Sequence, residues 1–347
     1  MKALRRRFDA VLDRKAAAIP RADLTFDQRL EAVQAWGDFS LAYSTAVQEG
    51  LSRFGGPDGY IAFGAKMGSV IALGDPVAPE PRKAQLIADF VAAAGRPCFA
   101  EISAPTADIL SGLGYRISRM GVDTALDLAR YDFSGKRKET VRYSERWLDK
   151  QGYRIVEAGS HPGADQGIED LSIAWRASRI VKRREMAFLN RPFPMASDPW
   201  QRRFLLVEPD GKVGALLYFD PMFRDHRVIG YLTAFKRKRP GTTSHAEIGL
   251  TKRAVDIFKG EGIETVMLGL SPVAGMGPSG YAESAAFRGL LGWFYDNDIV
   301  NRRIFNLKGH AAFKRRFHGR EEPRYFAWAK GNPYWHFISL LRLSKAI

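Results

Sequence analysis

Two stretches of the chain, GDPVAPEPRKAQLIADFVAAAGRPCFAEIS and RKRPGTTSHAEIGLTKRAVDIFKGEGIETVMLGLS, follow one plan: turn, helix, glycine stop, buried strand, serine. Their closing serines, Ser103 and Ser271, stand almost half the chain apart. Identity between the two is weak, so the repeat is one of architecture rather than of sequence. In the first copy Leu86, Ile87, Phe90 and Val91 line one face of a helix over 83–94, and 97–103 reads as a buried strand. In the second, Ala254, Val255, Ile257 and Phe258 line a helix over 251–258, and 265–270 is the strand. Each copy follows a hairpin, 60–66 with 69–73 and 204–208 with 213–219; in the second copy a further strand over 228–234 intervenes. Strand–helix–strand alternation of this kind dictates an α/β (α+β) layered fold. A length of 347 residues accommodates two such units. We expect them at 1–135 and 136–347, the second opening on a basic helical linker around 136–150.

Each unit resembles the N-acetyltransferase-like (GNAT) fold, a mixed sheet flanked by helices, so the resemblance implies a tandem GNAT-like N-acyltransferase arrangement. The remaining pattern is simpler. Leu30, Val33, Phe39 and Leu41 predict one core-facing helix over 27–43, and Leu171, Ile173, Trp175, Ile180 and Val181 predict another. Leu4, Phe8, Val11 and Leu12 lie at helical spacing among Arg5, Arg6, Arg7, Arg14 and Lys15. Such a helix either lies on an anionic membrane or packs on its own domain with a solvated basic face. The terminal segment NPYWHFISLLRLSKAI leaves the same two readings open: an interfacial helix, or one docked on the core.

Several functions are excluded at this stage. The single cysteine, Cys98, rules out a disulfide framework, and the six histidines are scattered without ligand spacing, so no metal is expected. No run of about 18 apolar residues occurs to span a bilayer. Asp9, Asp13, Arg14 and Lys15 interrupt what a signal peptide would keep apolar. The expected location is cytoplasmic, peripheral on the inner face of the plasma membrane. The phosphate-loop motif is missing, and TTSHAEIGL does not carry the glycine spacing that seats a pyrophosphate on a helix N-terminus. Ser271 has no neighbouring histidine and lies in no nucleophile elbow. The net charge of +15, with clusters at the N-terminus, at 136–150, at 179–184 and at 308–324, calls for polyanionic partners.

The densest cluster is IFNLKGHAAFKRRFHGREEPRYFAW, residues 304–328. Phe313 and Phe317 at helical spacing suggest an anchored helix presenting Lys308, His310, Lys314, Arg315 and Arg324 to phosphate or carboxylate. The other reading is a solvated basic face over core aromatics. Here the sequence resembles the phosphatidylglycerol lysyltransferase family, the soluble catalytic domain of the multiple peptide resistance factor. The likeness lies in Phe305-Asn306-x-Lys308-Gly309, Phe313-Lys314-x-x-Phe317 and Glu322-Pro323-Arg324-Tyr325. Leu73-Gly74-Asp75-Pro76, Val141-Arg142-Tyr143-Ser144 and Leu268-Gly269-Leu270-Ser271-Pro272 match the family in the same order. The resemblance implies transfer of an amino acid from aminoacyl-tRNA to a hydroxyl of phosphatidylglycerol or a related hydrophobic acceptor, with aminoacyl-tRNA and anionic membrane lipid as partners and no cofactor. Family members usually carry a polytopic membrane domain before this one, so a stand-alone synthase, or a relative with another acceptor, is expected.

One departure stands out. Where the family has Asp-Leu-Met-Arg, this chain has Thr233-Ala234-Phe235-Lys236-Arg237: a cation survives, the carboxylate does not. Glu247 is the nearest acidic substitute, although a carboxylate in a first helical turn is also favoured by the helix dipole alone. An aminoacyl ester is already activated, so the chemistry needs juxtaposition, a proton acceptor and an oxyanion partner. Lys308 and Glu247 are the expected catalytic pair. Arg142, Arg237, Ser271, His310, Lys314, Arg315 and Arg324 are the expected substrate contacts, and Asp75 reads as a turn residue before Pro76. Two alternatives remain: N-acyl transfer from an acyl carrier protein or acyl-CoA, and a non-catalytic module binding anionic membrane or nucleic acid.

Overall fold

The structure, a computed structural model, describes residues 2–14, 18–178 and 185–347. Lys15, Ile180, Val181 and the basic cluster at 179–184 lie outside the described residues. The helices α1 (Lys2–Asp13), α2 (Phe26–Trp36) and α3 (Ala42–Val47) precede the first strands, β1 (Ser52–Gly56), β2 (Gly59–Lys66) and β3 (Ser69–Leu73). There follow α4 (Glu80–Ala93), β4 (Cys98–Ile102), α5 (Ala104–Gly112) and β5 (Arg116–Asp127). The second half runs α6 (Glu139–Lys150), β6 (Arg154–Glu157), α7 (Ala164–Ser178), β7 (Arg202–Val207), β8 (Val213–Arg224), β9 (Arg227–Lys238), α8 (Ala246–Gly260) and β10 (Thr265–Pro272). It closes with α9 (Ala285–Asp296), α10 (Leu307–Arg315), β11 (Arg320–Trp328) and α11 (Pro333–Leu343).

The expected α/β class, a large mixed sheet flanked by helices, is what the chain forms. All the strands join one sheet in the order β1-β2-β3-β4-β11-β5-β10-β9-β8-β7-β6. The repeat is visible in it. β2 and β3 form a hairpin and β3 runs parallel to β4 through the α4 crossover; β8, β9 and β10 repeat this through α8. The last strand of each half is exchanged. β5 pairs with β10 of the second half, β11 pairs with β4 of the first, and β5 and β11 pair with each other, all antiparallel. Aromatic packing holds the helices to the sheet on both sides: Phe90 meets Phe63 and Phe99 edge-on or tilted under α4, and Phe258 meets Phe204, Phe219 and Tyr231 under α8. Burying such rings supplies the largest apolar contributions to a core.

Two expectations change and one open reading is decided. The helix read over 27–43 is two, because the chain breaks at Gly37, where a Cβ would come within 2.5 Å of the Val33 carbonyl oxygen. The basic-aromatic segment is not one helix. α10 ends at Arg315, His318 takes a left-handed backbone (φ 50), and Arg320–Trp328 is strand. The terminal segment is the docked alternative: Phe337 packs on Phe287 and Phe326, Leu340 is buried, and the Trp335 indole N–H donates to the Met67 carbonyl at 3.1 Å.

Candidate active site

The four central strands each meet an irregularity in their pairing. The register shifts between Tyr325 and Phe326 against β4, between Arg324 and Tyr325 against β5, and between Met267 and Leu270 where β10 meets β5. Bulges of this kind re-aim side chains and are common beside active sites. Three charged side chains stand beside the breaks, Glu101 on β4, Arg324 on β11 and Asp123 on β5, all buried. Glu101 itself has φ 61, a conformation rare for a residue with a side chain. Asp75, in the turn after β3, and Lys314, in the last turn of α10, are buried and complete the group.

Asp123 is the best-held member. Its Oδ2 accepts from the Ser40 hydroxyl at 2.7 Å and its Oδ1 from the Thr124 N–H at 2.8 Å. Arg324 Nη2 lies 3.6 Å from the same carboxylate and 3.2 Å from Glu322. Burial works against the charge of this guanidinium, but Asp123 and Asp75 outweigh it and hold it above its ordinary value. Asp75 accepts from the Ser103 N–H at 3.0 Å, joining the end of β3 to the start of α5. Lys314 donates to the carbonyls of Gly269 and Leu270, both at 2.6 Å, and so bridges the bulge in β10.

The two remaining titratable groups are displaced toward each other. Burial, then the charge of Asp123, pushes Glu101 up to about 8. Burial pulls Lys314 down to about 8, with Lys236 adding to the effect and Asp123 opposing it. Lys236 is also lowered by burial, which the charge of Glu247 opposes, and its ammonium lies 3.9 Å from the centre of the Phe313 ring. The Thr233 hydroxyl, on the same strand as Lys236, is buried and has no hydrogen-bond partner among the described residues. It stands where the sequence departs from the family carboxylate. A buried acid that holds its proton more tightly than usual and a buried amine that holds its proton less tightly are suited to acid–base work.

The nine residues expected from sequence fall into two sets. Lys314 and Arg324 come together at the sheet centre, Glu247, at the start of α8, faces the neighbouring Lys236, and Ser271 is buried on β10 opposite Val122. The others lie elsewhere. Lys308 is half-exposed on the first turn of α10, 3.1 Å from the Asp296 carbonyl and 3.7 Å from its carboxylate. Arg142 donates to the Phe133 and Gly135 carbonyls and ties the linker to α6. His310 stacks on Phe305, and Arg315 is exposed beside Glu321. Arg237 is buried against Phe193 and paired with Glu185 at 2.9 Å. Glu101 and Asp123 were not among the expected residues. The available signal was a carboxylate inside runs that otherwise read as buried strand, costly unless paired or used.

A sheet continuous across two repeated halves, with a buried acid–base cluster on its central strands, defines a tandem acyltransferase-like fold. Residues 31–328 match the family described as phosphatidylglycerol lysyltransferase, C-terminal, and the chain belongs to that family. An uncharacterized protein of Corynebacterium glutamicum is 24% identical over 284 residues, which cover 78% of this chain and 34% of that protein. The phosphatidylglycerol lysyltransferase of Bacillus subtilis is 21% identical over 279 residues, covering 78% of this chain and 31% of the relative. The chain thus spans about a third of the length of these relatives. The structure of L-PGS from Bacillus licheniformis superposes with a TM-score of 0.76 at 17% identity, over 95% of this chain and 99% of that one, and shares the fold.

Proposed function

We propose that this chain transfers an aminoacyl group from aminoacyl-tRNA to a hydroxyl of phosphatidylglycerol or a related lipid, at the sheet centre. The observation that carries the reading is the buried cluster of Glu101, Asp123, Arg324 and Lys314 on the central strands and the last turn of α10. In the ionised form Glu101 takes the proton of the acceptor hydroxyl as its oxygen attacks the ester carbonyl. An ammonium has three donors. Two of those on Lys314 meet backbone carbonyls, and the third serves the oxyanion, then protonates the ribose oxygen as the ester C–O bond breaks. The proton gained by Glu101 returns to Lys314 once the product leaves. Arg324 and Asp123 fix the geometry around Glu101. Lys236, Thr233 and Glu247 border the aminoacyl side, where a hydroxyl in place of a carboxylate favours an amino acid without a second positive charge. Lys308 and Arg315, being exposed, are assigned to the tRNA backbone rather than to the reacting atoms.

The test is incubation with mixed aminoacyl-tRNA and total lipid extract, with products read by mass spectrometry. Aminoacyl lipid formed by the wild type, abolished by RNase and by Lys314→Met, is the expected result. Product formed from acyl-CoA or an acyl carrier protein without tRNA would overturn the donor assignment.

A further inference from the structure

Amphipathic helices on globular proteins ordinarily bury their apolar stripe and leave their charges in water. α1 does the opposite. Leu4, Phe8 and Val11, at spacings of four and three, are 75%, 52% and 57% exposed. The helix is instead held to the body by its acids. Asp9 is buried and pairs with Arg342 of α11 at 2.7 Å, and Asp13 pairs with Lys66 of β2 at 3.1 Å and accepts from the Met67 N–H. Lys66 also lies 3.7 Å from Asp9.

This arrangement uses both acidic residues of α1 on the inward side. The outward charge is therefore basic: Arg6, Arg7 and Arg14 are exposed. Arg7 follows Leu4 by three residues and precedes Val11 by four, and Arg14 follows Val11 by three, so both border the apolar stripe. A helix of 12 residues is about 18 Å long, enough to lie flat at a headgroup boundary. Three exposed apolar side chains bordered by cations, on a helix clamped by ion pairs to two other elements, fit a surface that is apolar just below a layer of negative charge. We infer that α1 is a rigid docking element that sets the protein on an anionic lipid bilayer. The inference uses residues remote from the transfer chemistry, and rests on the proposed function only in that both concern a lipid surface.

The test is co-sedimentation of the full chain with phosphatidylcholine vesicles, with and without phosphatidylglycerol, in the absence of any donor. The wild type should bind the anionic vesicles, and the Leu4→Ser/Phe8→Ser/Val11→Ser variant should bind them at least about tenfold more weakly. Arg6→Gln/Arg7→Gln/Arg14→Gln should erase the preference for phosphatidylglycerol. Circular dichroism guards against loss of fold. Because Cys98 is buried and is the only cysteine, Val11→Cys can carry an environment-sensitive dye whose emission should shift to the blue on anionic vesicles. Unchanged binding by the serine variant, an unshifted dye, or a solution dimer that the serine variant dissociates would each overturn the inference. Transfer to detergent-dispersed lipid separates the two readings. If it persists where vesicle binding fails, the docking idea alone falls; if vesicles bind but no transfer occurs, the proposed reaction alone falls.

Discussion

Glu101→Gln should make the protein more stable and less active at once. In the unfolded chain this carboxyl ionises near its ordinary value of 4.5, in the fold at about 8. At pH 7 the folded protein must therefore keep it protonated against solution preference. Each tenfold in proton affinity is worth about 1.4 kcal/mol, so this costs about 3 kcal/mol at pH 7. Glutamine has the shape of the protonated acid and no such cost. The sign follows from linkage. A raised acid favours the fold fully below 4.5 and loses that contribution as pH rises toward 8, so the advantage of glutamine should be absent below about 4.5, grow through neutrality and level off above about 8. Urea denaturation of both proteins at pH 4, 7 and 9 measures it. Transfer should fall on the order of a hundredfold or more, the usual effect of removing a general base. A variant equally stable at every pH would show that Glu101 is not held protonated. One that is stabilised yet fully active would show that the strained carboxylate does no chemistry.

Arg324→Ala should destabilise the fold by about 3–5 kcal/mol in thermal or urea unfolding, because it leaves the buried Asp123 without its cation. Lys308→Ala should leave unfolding unchanged and weaken tRNA binding in a salt-dependent way, whereas Lys314→Met should abolish transfer. It should also cost about 1–3 kcal/mol through the two unpaired carbonyls. Thr233→Val should not destabilise the fold, since the hydroxyl has no partner among the described residues, but should lower the rate of transfer in the lipid assay. Transfer should peak near pH 8, where Glu101 is ionised in part and Lys314 still holds its proton in part; a flat profile from pH 6 to 10 would contradict the assigned roles.

Much of the sheet was legible because its strands alternate with helices of clear apolar period: β2, β3, β4, β7, β8 and β10 lie where the pattern put them. β11 was not. Arg320-Glu321-Glu322-Pro323-Arg324 is charged and contains proline, which argues against a central strand by every local rule. It is central because its charges are paired, Arg324 with Asp123 and Glu322, and Arg320 with Glu322, and Pro323 sits beside a register shift. The site was half legible for the same reason. Lys314 and Arg324 belong to a motif that can be seen in one dimension. Glu101 and Asp123 acquire meaning only when β4 and β5, separated by α5 in sequence, are found on either side of a strand from the far end of the chain. Periodicity carries no information about which strands an exchanged neighbour will separate.

That exchange also orders events in time. Until residues 320–328 have been synthesised, β4 and β5 cannot reach the pairing seen in the finished sheet, since β11 is the strand between them. About 200 residues separate the end of β5 from the end of β11, and at 5–20 residues per second the ribosome needs roughly 10–40 s to bridge them. For that interval the nascent first half carries unpaired strand edges at the place where the acids of the future site gather. Their carboxylates, ionised while exposed and costly to bury in the finished core, then serve as a guard against edge-to-edge association.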